Sequence, residues 1–348
     1  MSPYVIMILL SSLGLGTTLT FTSSHWLLAW MGLEINTLAI LPLMAQHHHP
    51  RAVEATIKYF LAQATAAATI LFASTINAWA TGEWNISCLT HPMATTLTTM
   101  ALALKVGLAP MHFWMPPVMQ GLDLSTGLIM ATWQKLAPFA LIIQMAPSTS
   151  PQLLTILGLA SVIIGGWGGL SQTQLRKILA YSSIAHLGWM IIIVQFNSQL
   201  TLLALIIYII MTSTTFLTFK LMSTTKITTL AISWSKTPIT MTTTALVLLS
   251  LGGLPPLTGF MPKWLILQEL TMQKLPLTAT IMALSALLSL YFYLRLCYAM
   301  TLTTAPNTNN YLTPWRMKIT QNMAPLASLT IMTLLLLPLT PLTQALTT

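Results

Sequence analysis

Apolar runs of about twenty residues follow one another along all 348 residues of this chain. That is the length a helix needs to cross roughly 30 Å of hydrocarbon. In such a solvent every backbone N–H and C=O must find a partner inside the chain, so the runs read as spanning helices and not as strands or loops. Hydropathy and breaker residues divide the chain into eleven spans, at about 3–22, 25–45, 59–79, 93–121, 124–144, 151–171, 175–195, 199–220, 239–272, 276–299 and 323–342. The expected fold class is therefore an all-α polytopic membrane protein. Composition agrees: charged residues make up 5% of the chain and the mean hydropathy is +0.77, whereas soluble domains are about a quarter charged. The first run is full length and lacks a basic lead-in, so it reads as a retained helix and not a cleaved signal. The connections at about 221–238 and 300–322 have room for a short interfacial helix each.

The net charge of +9 follows from topology. With the N-terminus on one face, that face receives nine basic residues, Lys236, Arg316 and Lys318 among them, and the other receives only Lys274. The positive-inside rule makes the basic face the cytoplasmic or matrix side. Its expected partners are anionic lipids such as cardiolipin, not nucleic acid. Two cysteines, Cys88 and Cys297, are too few for a disulfide framework or an iron–sulfur cluster. His47-His48-His49 lies at a basic membrane boundary and reads as interfacial, not as a metal site. Gly165-Gly166-Trp167-Gly168-Gly169 has no Lys-Ser/Thr sequel and reads as close helix packing, not a phosphate loop. No nucleotide fingerprint, haem ligand set or nucleophile triad is visible, so no redox chemistry of its own is expected.

Two spans are longer than a crossing requires and carry breakers in their middles. Gly107-Leu108-Ala109-Pro110-Met111-His112-Phe113-Trp114-Met115-Pro116-Pro117 recurs 146 residues later as Gly253-Leu254-Pro255-Pro256-Leu257-Thr258-Gly259-Phe260-Met261-Pro262-Lys263. Proline removes a ladder donor and clashes with the preceding turn, so both helices are expected to unwind there. Irregular backbone at membrane depth survives only within protein or beside a water-filled cavity, and paired interruptions point to a transport site. The two broken spans are an odd number of crossings apart and so run in opposite directions. The expected plan is a single membrane domain, 1–348, with inverted repeats at 25–144 (broken helix 93–121) and 151–299 (broken helix 239–272). Residues 300–348 then supply a connecting segment and a last helix.

Charge is scarce, yet Glu34, Lys105, Lys135 and Lys263 all fall inside apolar segments. Ionisable groups at such depth cost about 2.5–3.5 kcal/mol each on insertion scales and default to a functional hypothesis. Glu34 and Lys105 have opposite sign and could form a buried pair, which lowers the cost of both. A lysine stripped of water holds its proton less well, and a carboxylate beside it restores the hold. Moving a carboxylate relative to a lysine thus switches proton binding on and off. His112, inside the first break, and His186, mid-span, suit intermediate relay positions. Asp123, Glu54, Glu269 and Arg295 lie near span ends and read as interfacial.

Three runs resemble a known family. They are His25-Trp26-Leu27-Leu28-Ala29-Trp30-Met31-Gly32-Leu33-Glu34-Ile35-Asn36, the stretch from Lys105 to Trp114, and the stretch from Gly252 to Lys263. They resemble the antiporter-like membrane subunits of mitochondrial NADH:ubiquinone oxidoreductase (respiratory complex I), and the likeness runs from end to end. The resemblance implies an antiporter-like fold in a proton-pumping membrane arm. It implies a Glu34–Lys105 pair, a polar axis continuing through Lys135 and Lys263, and less direct parts for His112 and His186. It further implies the mitochondrial inner membrane with the N-terminus on the matrix side, and three N-terminal helices fewer than bacterial relatives. Other membrane-arm and accessory subunits are the implied partners; the NADH site, FMN and iron–sulfur clusters would belong to other subunits. Two other readings use the same residues: a cation/proton antiporter subunit, and a structural membrane subunit whose charges bind partner helices.

Overall fold

The computed structural model describes residues 2–46, 49–235, 237–302, 323–341 and 345. His47, His48, Lys236, Arg316, Lys318 and the helix expected within 300–322 lie outside the described residues, apart from the first few residues of that connection. Among the described residues the regular structure is helical. The elements are α1 (Pro3–Thr22), α2 (Trp26–Met44), α3 (Pro50–Thr81), α4 (Pro92–Val106), α5 (Met115–Gly121), α6 (Leu124–Ala131) and α7 (Trp133–Met145). They continue with α8 (Pro151–Gly169), α9 (Leu175–Val194), α10 (Ser198–Met222), α11 (Ile227–Ile232), α12 (Pro238–Gly252), α13 (Phe260–Met272), α14 (Pro276–Thr301) and α15 (Ala324–Leu335). Among the described residues eight segments are long and apolar enough to cross a membrane, α6 and α7 together forming one of them. The connection after α10 holds the short helix α11, as its length allows.

The chain forms two compact units, 1–161 and 162–348. In the first, α3 packs against α2, α4 and α5, and α7 packs against α1, α2, α4 and α6. In the second, α10 contacts α9, α12, α13 and α15, and α14 lies against α9, α11, α12 and α13. The glycine run expected to allow close packing does so within the second unit. A Cβ on Gly165 would sit 2.7 Å from the Ala185 nitrogen of α9, an approach open only to a residue without a side chain.

Both broken helices have the same local geometry. α4 ends at Gly107 with φ 86°, and α12 ends at Gly253 with φ 81°. Left-handed backbone of this kind is cheap only for glycine, which is why the residue recurs at both stops. The Leu108 N–H returns to the Ala103 carbonyl at 2.9 Å, and the Leu254 N–H returns to the Leu249 carbonyl at 3.4 Å. After the irregular stretch, the Met115 N–H donates to His112 and the Met261 N–H to Thr258, at 3.0 and 3.2 Å. The matching prolines and glycines thus produce matching unwinding.

Three local features depart from expectation. α3 starts at Pro50, well before the expected 59, because charged residues there extend the helix beyond its apolar part. His49 accepts the Arg51 N–H at the cap, and Glu54 pairs with Lys58 one turn on. The span expected as continuous at 124–144 is divided at Thr132, whose φ −114°, ψ −69° interrupt the helix. The Thr132 hydroxyl donates to the Leu128 carbonyl at 2.8 Å, a back-bond that bends helices. The last span is a helix of 12 residues followed by a 3₁₀ turn at Leu337–Leu339. Pro338 accounts for the early stop, since it cannot continue the ladder.

Gly259 is the tightest glycine of the second break: a Cβ there would lie 1.7 Å from the Ser250 carbonyl oxygen. A Cβ on Gly14 would meet nothing within 4 Å. Gly259→Ala is therefore expected to reduce the amount of correctly assembled protein in membranes sharply, and Gly14→Ala to leave it unchanged. Native-gel quantification of both variants checks this.

Candidate functional site

In the first unit two buried lysines border one internal cavity. Lys105 stands in the last turn of α4 and is 5% exposed; Lys135 opens α7 and is 4% exposed. The two lysines border the cavity with Asn36 of α2, Tyr59 and Gln63 of α3, and Gln134 of α7. Its size suits single waters and not an organic ligand. The Lys105 ammonium has no hydrogen-bond partner among the described residues, while its backbone carbonyl accepts Gln63 Nε2 at 3.4 Å. The end of α4 is closed by a second side chain, since Trp114 Nε1 donates to the Leu104 carbonyl at 3.0 Å.

Glu34 does not form the direct ion pair with Lys105 expected from their opposite signs. Its Oε2 is buried and, like the Lys105 ammonium, makes no hydrogen bond. Helix geometry gives the reason. Leu33, Asn36 and Thr37 of α2 line the cavity, and Glu34 is offset from Leu33 by about 100° around the helix. In its ionised form Glu34 would still act through space on both Lys105 and buried Tyr59. His112 is 4% exposed within the break, tilted against Phe113 with ring centroids 4.5 Å apart and hydrogen-bonded to the Pro110 backbone. It is not one of the residues around the cavity.

The second unit has its own polar cluster. Lys263 lies in the first turn of α13, and its Nζ donates to the Gly252 carbonyl, the end of α12, at 2.8 Å. A cation at that position satisfies an orphan carbonyl and meets the negative end of the helix dipole. Lys263 borders a small cavity with His186 of α9 and Tyr208 of α10, and the His186 and Tyr208 rings are 5.8 Å apart. Tyr208 hydrogen-bonds Ser183, and Tyr293 of α14 faces Ser182. Thr258 in the break donates to the Thr333 carbonyl of α15. Of the groups read as interfacial, Arg295 donates to the Leu170 carbonyl just past α8, and Glu54 forms an exposed pair with Lys58.

Structure thus joins Lys105 to Lys135, and Lys263 to His186. It also adds Asn36, Tyr59, Gln63, Gln134 and Tyr208, which sequence reading passed over. The signal that could have found them is polarity inside an apolar span. A lone amide or phenol costs less than a charge and is therefore common, so that signal is weak.

A family profile described as "NADH:quinone oxidoreductase/Mrp antiporter, TM" matches residues 23–289, and one described as "NADH dehydrogenase subunit 2 C-terminus" matches 290–344. NADH-ubiquinone oxidoreductase chain 2 of Formosania lacustris is 76% identical over 331 residues, covering 95% of each chain. The chain belongs to the NADH-ubiquinone oxidoreductase chain 2 family. The Danio rerio member is 70% identical over 94% of each chain. Among solved structures, a chain of respiratory complex I from Thermus thermophilus matches with a TM-score of 0.87 and 28% identity, over 99% of this chain and 80% of that one. A chain of the Mrp complex from Dietzia sp. DQ12-45-1b matches with a TM-score of 0.83 over 97% of this chain and 75% of that one. At 17% identity that likeness is one of fold.

Lys263→Met removes the donor at Gly252 and leaves a buried carbonyl unpaired. Losing a charge-assisted bond of this kind costs about 1.5–3 kcal/mol. The variant is expected to lower the thermal unfolding midpoint of the assembled complex, read by a melt in mild detergent.

Proposed function

We propose that this chain is a proton-translocating membrane subunit of NADH:ubiquinone oxidoreductase, moving protons through buried lysines while other subunits carry the redox chemistry. Membership of the family supplies the enzyme. The observation that carries the residue assignment is the cavity shared by Lys105 and Lys135, two lysines about 95% buried. Lys105, whose ammonium makes no hydrogen bond among the described residues, is hard to explain as packing, because a structural cation in hydrocarbon is paired. Glu34, acting on Lys105 at a distance, is the electrostatic switch: its carboxylate favours the protonated lysine, and any movement of α2 alters that preference. In the second unit Lys263 and His186 provide a further step, with His112 in a secondary part at the first break. FMN and the iron–sulfur clusters belong to partner subunits in this reading. Cardiolipin or other anionic lipids contact the basic face, and the N-terminus lies on the matrix side of the mitochondrial inner membrane.

The near-complete likeness to chain 2 relatives, against a fold-only likeness to an Mrp antiporter chain, favours this reading over a cation/proton antiporter. Sodium coordination would also call for clustered carboxylates beside the lysines.

Lys105→Ala is expected to leave assembly largely intact while proton pumping and coupled turnover fall. Acidification measured per NADH oxidised in proteoliposomes checks it, and normal pumping per electron in that variant sinks the reading. Glu34→Gln keeps the shape of the side chain and removes its charge. It is expected to lower the proton-to-electron ratio without changing the amount of complex, and an unchanged ratio would take Glu34 out of the mechanism.

A further inference from the structure

The proton reading places two lysines on one cavity but leaves open what spans them. Asn36 is the informative neighbour. It is 2% exposed on α2, lines the same cavity as Lys105 and Lys135, and both atoms of its side-chain amide are buried without a hydrogen-bond partner. A buried amide that leaves both its donor and its acceptor unused is costly and rare. The bland explanation for an asparagine in a membrane helix is a bond across to the next helix. Here that bond is made by the backbone instead: the Asn36 carbonyl accepts Gln134 Nε2 from α7 at 3.2 Å. The amide makes no hydrogen bond among the described residues, and its oxygen lies against α1. Gly16 of α1 is so close that a Cβ there would lie 2.4 Å from Asn36 Oδ1.

A cavity of one-water scale, bordered by two lysines and an amide with free donor and acceptor, is a site for ordered water. Resting on the proton-translocation reading above, we propose that Asn36 is a positioning residue that fixes the water relaying protons between Lys105 and Lys135. The amide oxygen accepts one water hydrogen and the amide nitrogen donates to the water oxygen, which orients the molecule between the lysines. In the relay, the Lys105 ammonium gives a proton to the water as the water gives one to the Lys135 amine. One proton moves, the water is regenerated, and the two lysines exchange protonation states. Glu34 does not line the cavity and takes no direct part in the transfer; its effect on Lys105 is through space.

The test uses the whole complex in membranes. Asn36→Leu keeps approximate volume and removes the amide, whereas Asn36→Ser keeps a hydroxyl able to hold a water. Coupled turnover in the Leu variant is expected to fall roughly tenfold, equivalent to about 1.4 kcal/mol on the barrier. Its protons pumped per electron should fall too, and the Ser variant should recover much of both. Equal loss in Leu and Ser variants with normal pumping per electron means a merely structural asparagine and overturns the proposal. Should Asn36→Leu fail to assemble, Gly16→Ala displaces the amide without removing it, and normal pumping in that variant is equally fatal. A map of the unaltered complex that resolves internal water is an independent arm. It should show a water within hydrogen-bond distance of the Asn36 amide, and an empty position there overturns the proposal. If Lys105→Ala pumps normally, the function itself falls; if Lys105→Ala is impaired and Asn36→Leu is not, only the role of Asn36 falls.

Discussion

A helix that stops inside hydrocarbon exposes carbonyls that nothing in the lipid can satisfy, and this chain stops two helices there. Each of the first four N–H groups and last four C=O groups of a helix lacks an internal partner. At the ends of α4 and α12 the shortfall is met by a left-handed glycine cap and by borrowed side-chain donors. Trp114 bonds the Leu104 carbonyl at the first stop, and Lys263 bonds the Gly252 carbonyl at the second. Thr258 extends the same solution to α15. The unwound segments therefore draw polar side chains into the membrane, and each cavity forms next to them.

The same demand explains where the cations sit. Lys105 stands in the last turn of the first half-helix before its break, and Lys263, in the first turn after its own, reaches back with its Nζ to the C-terminal end of α12. That end carries partial negative charge, which steadies an ammonium in a medium that otherwise rejects it. The two lysines differ in how far they are satisfied. Lys263 is tied to backbone, while the Lys105 ammonium makes no hydrogen bond. The group with an unused donor is the one placed beside a second lysine and an unused amide, the arrangement expected where protons must be released as well as held.

The surrounding scaffold uses cheap devices to hold polar residues in an apolar medium. Threonine hydroxyls return to carbonyls one turn back, as in Thr98 to Ala94 at 2.9 Å and Thr212 to Tyr208 at 2.8 Å. Such bonds let hydroxyls lie within membrane helices without a cross-helix partner. Glycines at Gly16 and Gly165 bring backbones close enough to pin specific neighbours, the Asn36 amide in one case and the Ala185 backbone in the other.

Much of the architecture was legible in the residues themselves. Spans follow from hydropathy because lipid leaves the backbone no alternative to helix, and the breaks at Gly107 and Gly253 follow from proline and glycine chemistry that acts within a few residues. The lysines inside apolar spans, Lys105, Lys135 and Lys263, were legible for the same reason, since ionisable residues are rare enough there to stand out. Local chemistry could not say which residues meet. The bend at Thr132 needs a rotamer, the missing Glu34–Lys105 contact needs the rotation of α2, and the shared cavities of Lys105 with Lys135 and of His186 with Lys263 need helices far apart in sequence to pack. Those outcomes depend on the angle at which each helix presents its faces to its neighbours. Packing sets that angle, and a string of residues does not state it.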